Sequence, residues 1–297
     1  MHARRALTAL AAVLATLPAS LHAAPVEFTS FVTSDGVRLQ VIEAGAERPD
    51  RPVVAFVPGW SMPASIWSRQ LEAISRTHKV AALDPRGQGG SEIAAGGWTT
   101  ERRAEDLHEF VSRYAPVVLV TWSLGALEAL QYVYEHGDGD VRALVIVDSS
   151  VGEGPAPAPR APGDYNLQEE LRRNRAGTVS GFVRAMFRTP QPESMLAALR
   201  DSALRMPLEA SLSIFPADRI PRERWRDTVN EFTRPLLYVV TPQFAGQARS
   251  LKAKRPATRV EVFANAGHAL FVDEPERFSA LLADFLRTNW LAPASED

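Results

Sequence analysis

Ser123 stands where a buried strand should turn sharply into a helix. It follows the run Val117-Val118-Leu119-Val120-Thr121-Trp122 and precedes Leu124-Gly125 and a helical pattern that reaches Glu135. Thr121 and Gly125, two residues away on either side, are small or branched-small. A tight strand-turn-helix lifts a serine hydroxyl above the sheet edge, and the helix behind it aims free N-H groups at any negative charge that develops there. This is the layout of an acyl-transfer nucleophile, usually G-x-S-x-G, with Thr121 in place of the first glycine. The plainer reading is a serine that only caps the following helix.

Such a hydroxyl needs a base. Asn265-Ala266-Gly267-His268-Ala269-Leu270 follows a strand-like segment and precedes a helix starting at Pro275, which puts the imidazole of His268 on a loop at the same sheet edge. Histidine suits the task because its ordinary pKa of about 6.5 lets it take and return a proton near neutrality. Other chemistries lack their residues. There is no cysteine, so thiol catalysis and cysteine-ligated metals are excluded. Neither a histidine/carboxylate cluster with ligand spacing nor a glycine-rich nucleotide loop is found, so no metal and no organic cofactor is expected.

The elements that must position these residues alternate along the chain. Phe28 to Thr33 and Val37 to Ile42 flank Ser34-Asp35-Gly36, a hairpin signal. Pro52 to Val57, Val80 to Leu83, Val117 to Val120 and Val141 to Val147 are nearly continuous apolar runs, as expected of strands buried on both faces. Between them, Ile66 to Thr77 and Thr100 to Tyr114 carry apolar residues at helical spacing. The last third repeats the alternation: strand Pro235 to Val240, helix near Ala245 to Ala253, strand Arg259 to Phe263, helix Pro275 to Trp290. Asp273 reads as the N-cap side of that last helix. The pattern predicts an α/β protein with a mostly parallel central sheet flanked by helices. From Gly152 to about Asp227 the rhythm breaks: a Pro/Ala-rich stretch, then Arg-rich segments of helical spacing without strand candidates. This reads as a helical cap over residues 152–227, with core segments 24–151 and 228–297 on either side.

Four motifs in order give the chain a family likeness. They are Phe56-Val57-Pro58-Gly59-Trp60-Ser61, Asp84-Pro85-Arg86-Gly87-Gln88-Gly89-Gly90-Ser91, the serine turn, and Gly267-His268-Ala269-Leu270-Phe271 with Glu274-Pro275-Glu276-Arg277-Phe278. Together they resemble the α/β-hydrolase superfamily, in the branch of small capped serine esterases, perhydrolases and carbon-carbon hydrolases. The resemblance implies that the backbone N-H groups of Trp60 and Leu124 form an oxyanion hole, and that the Asp84 segment is a structural turn beside the site. It also implies a triad acid on the loop after strand Leu236 to Val240. Here that loop reads Thr241-Pro242-Gln243-Phe244-Ala245-Gly246-Gln247, without a carboxylate. Asp148, at the end of Val145-Ile146-Val147, occupies the alternative location, keeps the order Ser, Asp, His, and would orient His268. Glu153 is its nearest rival.

The expected activity is hydrolysis of a carboxylic ester, lactone or thioester through an acyl-enzyme, with a small molecule as substrate. A carbon-carbon hydrolase or perhydrolase would use the same site. A catalytically silent binding protein is the alternative from another class, motivated by Thr121 and the missing loop carboxylate. Among 297 residues, 45% are apolar and the net charge is −2 with mixed signs, which gives no footprint for nucleic acid or a lipid surface. The composition assigns no oligomeric state. Residues 1–23 read as a signal peptide: Arg4 and Arg5, the apolar run Ala6 to Leu17, then small residues ending Leu21-His22-Ala23. An uncleaved anchor would need about 20 apolar residues. The expectation is export, to the periplasm or beyond, with no stable membrane insertion after cleavage.

Overall fold

The computed structural model describes residues 25–155, 165–215 and 220–290, so the expected signal peptide lies outside the described residues, as does most of the Pro/Ala-rich stretch. Within them one sheet holds eight strands: β1 (Glu27–Val32), β2 (Arg38–Ala44), β3 (Val53–Val57), β4 (Val80–Asp84), β5 (Val117–Trp122), β6 (Val141–Val147), β7 (Leu236–Val240) and β8 (Arg259–Val262). Their spatial order is β1-β2-β4-β3-β5-β6-β7-β8. The β1-β2 hairpin and the β2-β4 pair are antiparallel, and every later pair is parallel.

The central strands are nearly all apolar because both of their faces are covered, and the two-residue alternation of a strand sends neighbours to opposite cores. Val54, Phe56, Val118, Val120, Trp122, Val145 and Val147 share one core with Leu71 and Ile74 of α1 (Ser68–Ser75). On the other face Ala55, Val57, Val117, Leu119, Leu144 and Ile146 meet Leu107 and Phe110 of α2 (Thr100–Tyr114) and Ala129 and Leu130 of α3 (Leu124–His136). Each fully buried aliphatic or aromatic side chain contributes about 1.5–3 kcal/mol. The α2 helix starts where Thr99 accepts the Arg102 N-H on its side chain. The expected helix over Ile66 to Thr77 is shorter than its apolar pattern: Ala64–Trp67 is a tighter 3-10 turn and the α-helix ends at Ser75.

Between β6 and β7 lie α4 (Leu167–Ala185), α5 (Glu193–Arg205), α6 (Leu208–Ser213) and α7 (Arg222–Glu231). The first three pack on one another through α4, whereas α7 packs against α3 in the layer that covers the sheet. Residue 227, where the cap was expected to end, therefore falls inside a helix of that layer. Thereafter come α8 (Ala245–Lys254), α9 (Leu270–Asp273) and α10 (Pro275–Trp290). Among the described residues no helix is long and apolar enough to cross a membrane.

Candidate active site

At the end of β5 the chain turns at Ser123 with φ 55° and ψ −122°, a conformation that costs a non-glycine residue about 1–3 kcal/mol and persists only where its surroundings impose it. The surroundings do so here. Ser123 N-H donates to the Val147 carbonyl at 3.0 Å, and its own carbonyl accepts from Ala126 N-H at 3.0 Å and from the Ser149 hydroxyl at 2.8 Å. Gly125 has to be glycine, since a Cβ there would lie 2.5 Å from the Pro58 carbonyl oxygen. Thr121 is accommodated because its hydroxyl donates to the Val145 carbonyl on the next strand at 3.1 Å.

His268 arrives from the far end of the chain, and its Nε2 lies 2.9 Å from Ser123 Oγ while Nδ1 lies 2.8 Å from Asp148 Oδ2. The partners dictate the protonation pattern: Nδ1-H donates to the carboxylate and Nε2 accepts from the serine hydroxyl. Asp148 itself is buried, at φ 42°, with its N-H on the Val239 carbonyl at 2.8 Å. Its other oxygen, Oδ1, accepts the Thr241 N-H at 2.7 Å. So the loop after β7, which carries no carboxylate, supplies a backbone donor that holds the one just past the end of β6. Tyr238 donates to the Ser149 carbonyl at 2.6 Å, and burial, with the Asp148 charge, pushes its phenol far above the usual range.

Glu153 is elsewhere. Its carboxylate accepts from Asn230 at 2.7 Å, from Ser250 at 2.7 Å and from Lys254 at 2.8 Å, tying the start of the insertion to α7 and α8. Burial alone would raise its pKa, but those hydrogen bonds, led by Lys254, outweigh it and hold the group at about 2. Asp84 likewise does structural work: it accepts from Ala64 N-H at 2.6 Å, Gly90 N-H at 2.8 Å and Gln40 at 3.0 Å.

The two amides expected to face an oxyanion lie on segments next to Ser123. Leu124 opens α3, where the first N-H groups of a helix have no partner within it. Trp60 follows Gly59, and a Cβ on Gly59 would lie only 3.0 Å from Ser123 Cβ, so this turn backs directly on the serine. The Trp60 indole reaches into the insertion: Nε1-H donates to the Ser211 carbonyl at 2.9 Å, and its ring meets those of Phe182 and Phe215 at 5.1 and 5.3 Å.

Some contributors escape sequence reasoning. Trp122, read only as the residue before Ser123, donates its indole N-H to the His268 carbonyl at 2.9 Å, with its ring 5.0 Å from the imidazole. Asp273 does not cap α10; its carboxylate accepts from Gly267 N-H at 2.7 Å, Arg188 N-H at 2.9 Å and Thr189 N-H at 3.0 Å. It thereby joins the histidine turn to the insertion. Gly267 is pressed against that segment, since a Cβ would lie 2.5 Å from the Met186 carbonyl oxygen.

Comparison with known proteins agrees with this architecture. The model of the alpha/beta hydrolase family matches residues 54–281. The chain is 26% identical over 258 residues to a pimeloyl-[acyl-carrier protein] methyl ester esterase of Nitrosomonas europaea, covering 80% of this chain and 95% of that one. Among solved structures it is similar to a bromoperoxidase from Bacillus anthracis (TM-score 0.73, 19% identity, 89% of this chain and 100% of that chain). It is also similar to an esterase from Exiguobacterium antarcticum (TM-score 0.71, 21% identity, 87% and 99%).

Proposed function

The chain belongs to the alpha/beta hydrolase family, and on that footing we propose that it is a serine hydrolase cleaving a carboxylic ester, or a lactone or thioester, through an acyl-enzyme. The observation that carries this reading is the line of contacts from Asp148 through His268 to Ser123, at 2.8 and 2.9 Å. Ser123 Oγ attacks the carbonyl carbon as His268 Nε2 removes its proton. Negative charge then grows on the carbonyl oxygen, opposite the amides of Trp60 and Leu124. Collapse expels the alcohol, which takes the proton back from His268, and water repeats the sequence to free the acid. Asp148 keeps the proton of the resting imidazole on Nδ1 and stabilises the imidazolium that forms.

Two features favoured a silent binding protein, Thr121 and the loop without a carboxylate. Thr121 fits the turn, and Asp148 supplies the charge beside Nδ1. The test is a panel of p-nitrophenyl esters of increasing acyl length, run beside labelling with a fluorophosphonate probe. We expect turnover without added metal or cofactor, and one label, carried by Ser123. A protein that neither turns over any ester nor takes the probe overturns the proposal.

The reading includes export. Residues 1–23 have the charge, length and small-residue ending of a secretory signal. Material from the native host is expected to begin near Ala24 and to fractionate with the periplasm or the medium. N-terminal sequencing decides it, and a chain that keeps Met1 refutes it.

A further inference from the structure

We propose that Gln88 is the positioning residue that aims one of the two oxyanion donors, an inference that rests on the serine-hydrolase reading above. Gln88 is fully buried, and its side-chain amide uses its whole bonding capacity. Nε2 donates to the carbonyls of Gly59 at 3.1 Å and Met62 at 2.8 Å. Oε1 accepts from Ser61 N-H at 3.2 Å and from the Arg103 guanidinium at 3.1 Å. The orientation of the amide is unambiguous, because two carbonyls face one end and two donors the other.

Three of those partners, Gly59, Ser61 and Met62, flank Trp60 along the chain, and Gln88 holds each through its main chain. The Gly59 carbonyl and the Trp60 N-H belong to one planar trans peptide and point in opposite directions, so holding the carbonyl from behind aims the N-H forward. The next peptide, between Trp60 and Ser61, is held through the Ser61 N-H. Both planes that flank Trp60 are therefore gripped by one side chain. The grip is needed because Ser61 adopts φ 57°, outside the regions a serine prefers, and its buried hydroxyl has no partner that could hold the turn.

Gln88 is itself held from the other donor's helix. Arg103 on α2 pairs with Glu128 at 2.5 Å, both buried, and Glu128 lies about one turn along α3 from Leu124. A continuous buried line of Glu128, Arg103 and Gln88 thus links the helix that presents the Leu124 amide to the turn that presents the Trp60 amide. An oxyanion hole works only if its donors are placed before charge develops. This line sets the spacing between them.

The test compares Gln88→Met, which keeps the length and removes every hydrogen bond, with Gln88→Glu, which keeps acceptors for Ser61 and Arg103 but cannot donate to Gly59 or Met62. Each is assayed beside wild type and Ser123→Ala for kcat, KM, thermal unfolding and inhibition by a boronic acid that forms a tetrahedral adduct on the serine. Expected is a fall in kcat of about 100-fold, the effect of losing one oxyanion donor. KM should stay within about threefold, and boronate affinity should fall in step with kcat, since only tetrahedral species use the hole. Folded variants that keep wild-type kcat and boronate affinity overturn the inference. So do losses that follow stability alone and leave the ratio of boronate affinity to KM unchanged. If Gln88→Met does not fold, Gln88→Glu decides by the same criteria. Wild type that turns over no ester would instead sink the hydrolase reading, so the two failures are distinguishable.

Discussion

Ser123→Ala is expected to lower kcat on a p-nitrophenyl ester by about a millionfold while unfolding at nearly the wild-type temperature. The stability expectation follows from how the turn is held. Every bond that imposes φ 55° on residue 123 runs through its backbone, to Val147, Ala126 and Ser149, and alanine keeps all of them along with the Cβ. Only the hydroxyl that faces His268 Nε2 at 2.9 Å is lost. His268→Gln should cost about as much, and the double variant little more, because a nucleophile and its base act as a unit. Steady-state kinetics on the four proteins of this cycle check the point. Losses that multiply in the double variant would mean that the two residues work independently.

Asp148→Asn is the second large effect, an expected fall in kcat of about ten-thousandfold. The geometry explains why so small a change should matter. Oδ1 of Asp148 faces the Thr241 N-H at 2.7 Å and Oδ2 faces His268 Nδ1 at 2.8 Å. An asparagine in this place must keep its oxygen toward the Thr241 donor, which turns its NH2 toward Nδ1. The amide then donates to Nδ1, moves the imidazole proton to Nε2, and leaves no base for the serine. Glu153→Gln, measured in parallel, should retain turnover near wild type and lose stability instead, because its partners are Asn230, Ser250 and Lys254. Reversed outcomes for the two variants would assign the acid to Glu153, and two active variants would leave a serine-histidine dyad.

Periodicity made most of the frame legible. The continuous apolar runs marked the central strands, and α2 and α10 begin and end where the helical spacing does. Ser123 and His268, which the structure brings within 2.9 Å of each other, drew attention because their surroundings are local: a strand, a turn and a helix within a few residues of each. What stayed hidden depends on contacts between residues far apart in the chain. Gln88 meets Gly59 across 29 positions and Trp122 meets His268 across 146, and neither pairing leaves a repeat or a spacing to detect. Asp273 misled for a related reason. An acidic residue just before a helix looks like a cap, and only the folded chain brings Arg188 and Thr189 to compete for its carboxylate. The place of α7 in the layer that covers the sheet could not be read in advance, because it rests on packing against α3, which no spacing within residues 222–231 announces.

The contact between Asp148 and Thr241 also bears on how such a site can vary over generations. On the loop after β7 the demand made by the Asp148 carboxylate is for an N-H, which every amino acid except proline supplies from its main chain. Just past the end of β6 the demand is for one particular side chain. An exchange at position 241 to any residue but proline therefore keeps the donor that Asp148 receives, whereas every exchange at position 148 removes or displaces the carboxylate that faces His268 Nδ1. In the proposed mechanism position 148 is thus constrained through its side chain and position 241 only through its main chain.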